Sequence, residues 1–272
     1  MMVSDEEISY LVDDIYSIYG YDFGNYSAAS FRRRIERLIL LDKFTSFSEF
    51  RYIIQTDKAY FKRFVEEVTV NLTEMFRDPY FFKDLRELVF PEIATKPFIR
   101  IWHAGCSTGE EVYSTAILLK DMNLLDKSLL YATDINPSVI EIAKRGSYPL
   151  GAMKKHSENY IASGGREDFS RYYTTSYSQA IFNRELTQRM IFSTHNLVTD
   201  RSFNEFDLII CRNVLIYFEK ELQNRVLNLF SESLSPLGFL ALGTKESIYF
   251  NDISKEYVQL SKHKIWQKIN PH

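Results

Sequence analysis

The sequence predicts an α/β fold in which a parallel β-sheet core follows a small helical domain. The clearest indication is Phe206–Cys211, FDLIIC, because a near-continuous apolar run is typical of a central parallel strand that is covered on both faces. A second is the order strand, glycine turn and helix across residues 99–114, which is how α/β folds build a nucleotide site. No strand pattern precedes about residue 70. We therefore divide the chain into a helical domain (1–70), a linker with the first core helix (71–97) and an α/β core (98–272).

The composition excludes several classes of protein. The chain has 272 residues, 45% of them hydrophobic, and a net charge of −3, so we expect neither nucleic-acid binding nor direct membrane insertion. Two cysteines, Cys106 and Cys211, are too few for a disulfide framework. Together with an acidic N-terminus that lacks an apolar signal segment, they predict a reduced, cytoplasmic protein.

Helical periodicity and capping residues predict four helices in the first domain. Polar side chains that suit helix N-terminal caps precede three of them, namely Ser4, Ser46 and Asp57. The second helix, about 28–42, carries Arg33 and Arg37 opposite its apolar face, flanked by Arg32 and Arg34. This basic face is either an ordinary solvated surface or a docking site for an acidic partner.

The linker begins with residues 71–78, NLTEMFRD. Asp78 and Pro79 are typical of an N-cap and first helical residue, so a helix is predicted to follow. The polar residues before it either clamp a ligand near the sheet or are plain turn residues, and they are Asn71, Thr73 and Arg77.

The glycine turn, 104–109, joins a predicted strand to a helix that starts at Glu110. Gly105 allows a tight turn and close approach of the backbone to a ligand. The turn is neither G-x-G-x-x-G nor a phosphate-binding P-loop. Glu110 and Glu111 stand where a phosphate would otherwise bind, so they either accept hydrogen bonds from a ribose, hold a cationic ligand, or simply cap the helix.

Polar residues follow the predicted strands at the carboxyl ends, where α/β sheets bind ligands. They are Asp134 after a strand at 129–132, Asn196 (followed by the apolar Leu197) after a strand at 189–194, and Arg212 and Asn213 after Phe206–Cys211. Asp134 suits a ribose diol, because a carboxylate accepts from both hydroxyls, or else it caps the next helix. Tyr217 lies close to Arg212 and Asn213 in the sequence and is placed for chemistry. Residues 148–189 exceed the length of a crossover and predict a small inserted subdomain.

Taken in order, these stretches resemble the chemotaxis-receptor glutamate methyltransferases, the CheR family. The matching pieces are NLTEMFRD at 71–78, GCSTGEE at 105–111, ATDI at 132–135, HNL at 195–197, CRNVLIYF at 211–218 and the basic helix FRRRIERL at 31–38. The resemblance covers nearly the whole chain, and CRNVLIYF is highly specific. It implies a Rossmann-like, S-adenosylmethionine-dependent methyltransferase fold whose inserted subdomain is an antiparallel β-sheet.

The resemblance also implies roles for individual residues. The cofactor S-adenosylmethionine, which leaves as S-adenosylhomocysteine, would be contacted by Asn71, Thr73, Arg77, Glu111, Asp134, Asn196, Leu197, Arg212 and Asn213, beside Gly105 of the turn. Arg77 and Tyr217 would lie at the reacting end, and no metal ion is expected. Arg33 and Arg37 would dock an acidic helical segment of a protein acceptor, in this family the cytoplasmic domain of a membrane receptor.

Methyl transfer to a glutamate carboxylate needs no general base, because that group is ionised at pH 7. Arg77 is expected to orient the carboxylate, and the Tyr217 ring to face the methylsulfonium in a cation–π contact of roughly 0.5–2 kcal/mol. Alternatives are a methyltransferase acting on nitrogen or on another acceptor, a non-catalytic cofactor-sensing module, and a dinucleotide-dependent oxidoreductase. The missing G-x-G-x-x-G disfavours the last of these, and intact Arg77 and Tyr217 favour catalysis over sensing.

Overall fold

The computed structural model describes residues 3–24, 26–69, 73–249 and 251–269. The predicted helical domain is present as α1 (Asp5–Tyr19), α2 (Ala28–Leu41), α3 (Phe47–Thr56) and α4 (Lys58–Val68). The predicted caps are confirmed: Ser4 makes a capping box with Glu7, Ser46 accepts from the Glu49 amide, and Asp57 accepts from the amides of Ala59 and Tyr60. The inward faces of these helices share one apolar core rich in phenylalanine.

The first core helix begins at the predicted residue, but the side chain of its N-cap residue is bound elsewhere. It runs as α5 (Pro79–Asp84), a π-helical turn (Leu85–Val89) and α6 (Phe90–Ile93). Asp78 is the N-cap residue and Pro79 the first helical residue, as predicted, but the Asp78 side chain makes no capping hydrogen bond and its φ is +57°. Its carboxylate pairs instead with Arg212, which a local capping rule does not anticipate.

A seven-stranded sheet forms the core, in the order β6-β2-β1-β7-β8-β10-β9. Its strands are β1 (Ile99–Ala104), β2 (Ser128–Asp134), β6 (Met190–Thr194), β7 (Phe206–Cys211), β8 (Leu234–Leu242), β9 (Tyr257–Ser261) and β10 (Ile265–Lys268). Neighbours are parallel from β6 to β8, and β10 is antiparallel to both β8 and β9. The connecting helices are α7 (Glu110–Asp121), α8 (Pro137–Arg145) and α11 (Lys220–Ser233). The predicted parallel core is therefore confirmed.

The inserted segment forms a separate antiparallel sheet of β3 (Ser147–Pro149), β4 (Tyr173–Ser176) and β5 (Gln179–Phe182), in the order β3-β5-β4. Helices α9 (Met153–Ala162) and α10 (Arg184–Thr187) accompany it. Its side chains hold it to the core: the Tyr148 hydroxyl donates to the Thr108 carbonyl at 2.8 Å, and the Asn159 amide donates to the Met75 carbonyl at 3.0 Å. Within the ranges that the structure covers, we find no helix with the length and apolar content to span a membrane.

Candidate active site

The carboxyl ends of β1, β2 and β7 meet the helical domain around a cavity of about 270 Å³. Parallel order on both sides of β1 produces this crevice, because the chain leaves β1 toward β2 and later returns beside it as β7. Most of the residues singled out from the sequence line it, namely Thr73, Arg77, Gly105, Glu111, Asp134, Asn196, Leu197, Arg212, Asn213 and Tyr217. Asn71 lies outside the described residues. Arg33 and Arg37 do not reach the cavity and are exposed on α2.

Asp134 ties the glycine turn to the end of β2. Its Oδ2 accepts from the Ser107 amide at 2.9 Å, and its Oδ1 accepts from the Asn136 amide at 3.0 Å. Burial raises the pKa of Asp134, while these backbone hydrogen bonds oppose the rise. The alternative that Asp134 caps the next helix is wrong, because the side chain of Asn136 caps α8 through the Ser138 amide. Each Asp134 oxygen retains a further acceptor site for a ligand in the cavity.

Arg212 is buried in the cavity wall and is held through both terminal amino groups, while its Nε has no hydrogen-bond partner among the described residues. Its Nη1 donates to Glu111 Oε2 at 2.9 Å and to the Arg77 carbonyl at 3.3 Å, and its Nη2 pairs with Asp78. The guanidinium carbon stacks 4.1 Å from the centroid of the Phe81 ring. Arg212 thus links residues 77 and 78 of the linker to α7, and its charge is neutralised by the carboxylates of Glu111 and Asp78.

Glu111 is held from two sides. Its other oxygen, Oε1, lies 3.3 Å from Nδ1 of the buried His103. Burial raises the pKa of Glu111, but hydrogen bonds and charge from His103 and Arg212 outweigh burial and leave the pKa below its ordinary value. Glu111 is therefore an ionised acceptor in the cavity wall, suited to a cationic or hydroxyl-bearing ligand.

Tyr217 is presented by a 3₁₀ turn, Leu215–Tyr217, and is half-buried. Burial raises the pKa of its hydroxyl, and the positive charges of Arg34 and Arg77 oppose the rise. A backbone hydrogen bond joins the helical domain to this turn, since the Ser27 amide donates to the Tyr217 carbonyl at 2.8 Å. The next residue, Phe218, pairs with Tyr26, their ring centroids 5.0 Å apart.

Arg34 is the site residue that the sequence reasoning misjudged, because it was treated as a flank of the outward basic face. The structure places it in the cavity wall, with its guanidinium carbon 6.0 Å from the centroid of the Tyr217 ring. Burial lowers the pKa of Arg34. A signal was available: Arg34 stands one residue before the buried Ile35 and three after the buried Phe31, on the border of the apolar face. His195 also lines the cavity, but its ring packs on Trp102, 5.3 Å between centroids.

The cavity offers unsatisfied polar groups that a polar ligand can fill. Ser107 Oγ is buried and has no hydrogen-bond partner among the described residues, and the same holds for Nδ1 of His195. Buried polar atoms without partners are rare in folded proteins. With the Asp134 carboxylate and the Glu111 carboxylate in the same wall, these atoms fit a ligand that combines hydroxyl, amine and aromatic nitrogen groups.

The sheet order with its antiparallel final strand, together with a cavity walled by a glycine turn and an acid at the end of the second strand, defines an S-adenosylmethionine-dependent methyltransferase. Residues 71–264 match the family described as "CheR methyltransferase, SAM binding domain", and residues 6–69 match "CheR methyltransferase, all-alpha domain". The chain belongs to the CheR methyltransferase family, and S-adenosylmethionine is its cofactor.

Relatives from several bacteria are similar over nearly the full length. The Pseudomonas putida protein Cher3 is 46% identical over 259 residues, which cover 95% of each chain. The chemotaxis protein methyltransferase of Listeria innocua is 31% identical over 231 residues, or 84% of this chain and 85% of that protein. The protein of the same name from Borreliella burgdorferi is 27% identical over 277 residues, or 96% and 95% of the two chains.

Proposed function

We propose that this protein transfers a methyl group from S-adenosylmethionine to glutamate side-chain carboxylates of a protein acceptor, a chemotaxis-type receptor, and so forms glutamate methyl esters. The observation that carries the proposal is a pair of guanidinium groups, Arg34 and Arg77. Both line the cavity, and their positive charges oppose the rise in the pKa of Tyr217. No lysine is among the described residues that line the cavity. Two positive charges attract a carboxylate and repel the ammonium group of a lysine acceptor.

The cofactor supplies an electrophilic methyl group on a sulfonium. Residues at the carboxyl ends of the strands would hold the cofactor. Asp134 would accept hydrogen bonds from its ribose hydroxyls, and Glu111 would accept from a donor group at the other end of the cofactor. The Tyr217 ring would face the sulfonium, and such a cation–π contact stabilises a positive charge by roughly 0.5–2 kcal/mol.

The acceptor carboxylate arrives ionised, so the chain's task is to orient it. Arg77 from the linker and Arg34 from α2 would hold it near Tyr217. Correct orientation of two reactants can recover roughly 7–11 kcal/mol of the barrier. Arg212 takes no part in this attraction, because Glu111 and Asp78 already neutralise it.

The outer face of α2 would guide the acceptor to the cavity. Arg33 and Arg37 are exposed there, one helical turn apart, and Arg34 between them reaches the cavity. An acidic helical segment lying along α2 would therefore bring one of its glutamates to Tyr217. This arrangement supports a protein acceptor over a small molecule, since a small acceptor would not use the outer face.

The linkage of the transferred methyl group tests the proposal. The enzyme is incubated with radiolabelled S-adenosylmethionine and bacterial membranes, the labelled band is made alkaline, and the volatile fraction is counted. A glutamate ester releases its label as methanol, and Arg77→Ala should abolish that label. Label that stays on the protein through alkali would contradict the proposal and favour transfer to nitrogen, for which the cavity wall offers His195 as a base.

A further inference from the structure

We propose that Glu246 is a positioning residue of the methyl-transfer site, whose buried carboxylate fixes the segment 213–217 so that Asn213 and Tyr217 face the cavity. The proposal rests on the function above only in taking these two residues as part of the site. Glu246 itself lies outside the cavity lining, and none of the sequence motifs pointed to it.

The Glu246 carboxylate is saturated by backbone amides. Its Oε1 accepts from Val214 at 2.9 Å and from Ile216 at 3.3 Å. Its Oε2 accepts from Asn213 at 3.1 Å and from Gly243 at 2.5 Å. The side chain is buried, with 4% of its surface exposed. One carboxylate has about four acceptor sites, so both oxygens are fully used in holding backbone.

Within the part of the chain that the structure describes, Glu246 is the carboxylate to which the first amides of the segment donate. They precede and open the 3₁₀ turn, where amides lack partners within the turn. Asn213 also has a φ of +62°, a left-handed conformation that is less favourable for a residue with a side chain than for glycine. Bonds from outside must offset that cost for Tyr217 to remain in place.

The carbonyl groups of the same segment are bound from two other elements. The Gln223 side-chain amide on α11 donates to the carbonyl of Leu215 at 3.0 Å and to that of Phe218, the residue after the segment, at 2.9 Å. The Ser27 amide from the helical domain donates to Tyr217. Glu246, which follows β8, binds amides of the segment, whereas Gln223 and Ser27 bind carbonyl groups.

Glu246→Gln tests the charge at nearly constant volume. A glutamine has one accepting oxygen and an NH₂ group, so it keeps at most two of the four bonds and turns a donor toward amides. We expect the dissociation constant for S-adenosylhomocysteine, measured by calorimetry, to rise about tenfold or more. If this variant does not fold, Glu246→Asp, which keeps both oxygens on a shorter side chain, is judged by the same criterion.

The matched control is Asp207→Asn, at the opposite end of the neighbouring strand. Asp207 is also a buried carboxylate, 6% exposed, and it accepts from the Arg100 amide at 2.8 Å and from Lys96. Both variants should lower the melting temperature, but Asp207→Asn should change the dissociation constant less than twofold. Equal effects of the two variants on binding would overturn the proposal by reducing Glu246 to a merely structural role.

A double-mutant cycle with Asn213→Ala gives a second readout. If Glu246 acts by placing Asn213, the two changes together should weaken binding by less than the product of their separate effects. Independent, multiplicative effects would contradict the proposal. Because S-adenosylhomocysteine binding uses no acceptor, label found on nitrogen would refute the proposed function without altering this result.

Discussion

Replacing Gly105 by alanine should damage both the stability of the fold and the cofactor site. Gly105 has a φ of +79°, and a Cβ built there would lie 2.4 Å from Val214 Cγ2. The left-handed conformation costs an alanine about 1–2 kcal/mol. Relief of the overlap, which moves Val214 or the turn, adds about 1–3 kcal/mol. We therefore expect Gly105→Ala to lower the free energy of unfolding by about 2–5 kcal/mol.

Gly20→Ala separates the cost of the left-handed conformation from the cost of the steric overlap. Gly20 ends α1 with a φ of +74°, and a Cβ there would meet nothing within 4 Å. Only the conformational cost applies, so the loss should be about 1–2 kcal/mol. A second comparison repeats Gly105→Ala in a Val214→Ala background, where the remaining Val214 Cβ is 3.5 Å away, an ordinary contact. In that background the cost of Gly105→Ala should fall to the Gly20 value.

Urea denaturation gives the free energies, and calorimetry with S-adenosylhomocysteine gives the dissociation constants. Because Gly105 and Val214 both line the cavity, Gly105→Ala should weaken binding at least tenfold, whereas Gly20→Ala should not change it. The reasoning is refuted if Gly105→Ala costs the same in both backgrounds, or if the two glycine variants bind the ligand equally well.

Three further outcomes follow from the site and its surroundings. Asp134→Ala should weaken S-adenosylhomocysteine binding by about 1–3 kcal/mol in calorimetry, and unchanged affinity would remove Asp134 from the ribose site. Arg33→Glu with Arg37→Glu should raise KM for the protein acceptor and its salt dependence without changing cofactor affinity, whereas reversal of the exposed Arg184 on α10 should leave KM unchanged. Burial raises the pKa of Glu110 to about 7 from 4.5, so the folded state retains a proton between these pH values that the unfolded state releases. Stability from this group is lost as pH rises, so Glu110→Gln should be stabilising by about 1–3 kcal/mol at pH 8 and nearly neutral at pH 5; the same difference at both pH values would contradict the shift.

Local rules predicted most of the secondary structure. The caps at Ser4 and Asp57 were confirmed because they involve residues no more than three positions away. Phe206–Cys211 was predicted with its observed bounds, since a strand buried on both faces is apolar throughout. Pro236 and Gly238 are typical of a turn, so the sequence alone predicts that this strand begins at Phe239, whereas β8 begins at Leu234. The strand continues through them with a shift in its register against β7.

The sequence by itself determined the order of the elements, the parallel core and the polar residues at the strand ends, because periodicity and capping depend on near neighbours in the chain. Only the tertiary structure decided which side chains meet. The Asp78 side chain pairs with Arg212, which is 134 residues away, instead of capping its own helix, and Glu246 reaches amides about 30 residues before it. Arg34, not its exposed neighbours, enters the cavity because the packing of α2 sets its rotation. Such contacts depend on which strands and helices lie side by side, and a buried charge takes the partner that the fold brings within reach.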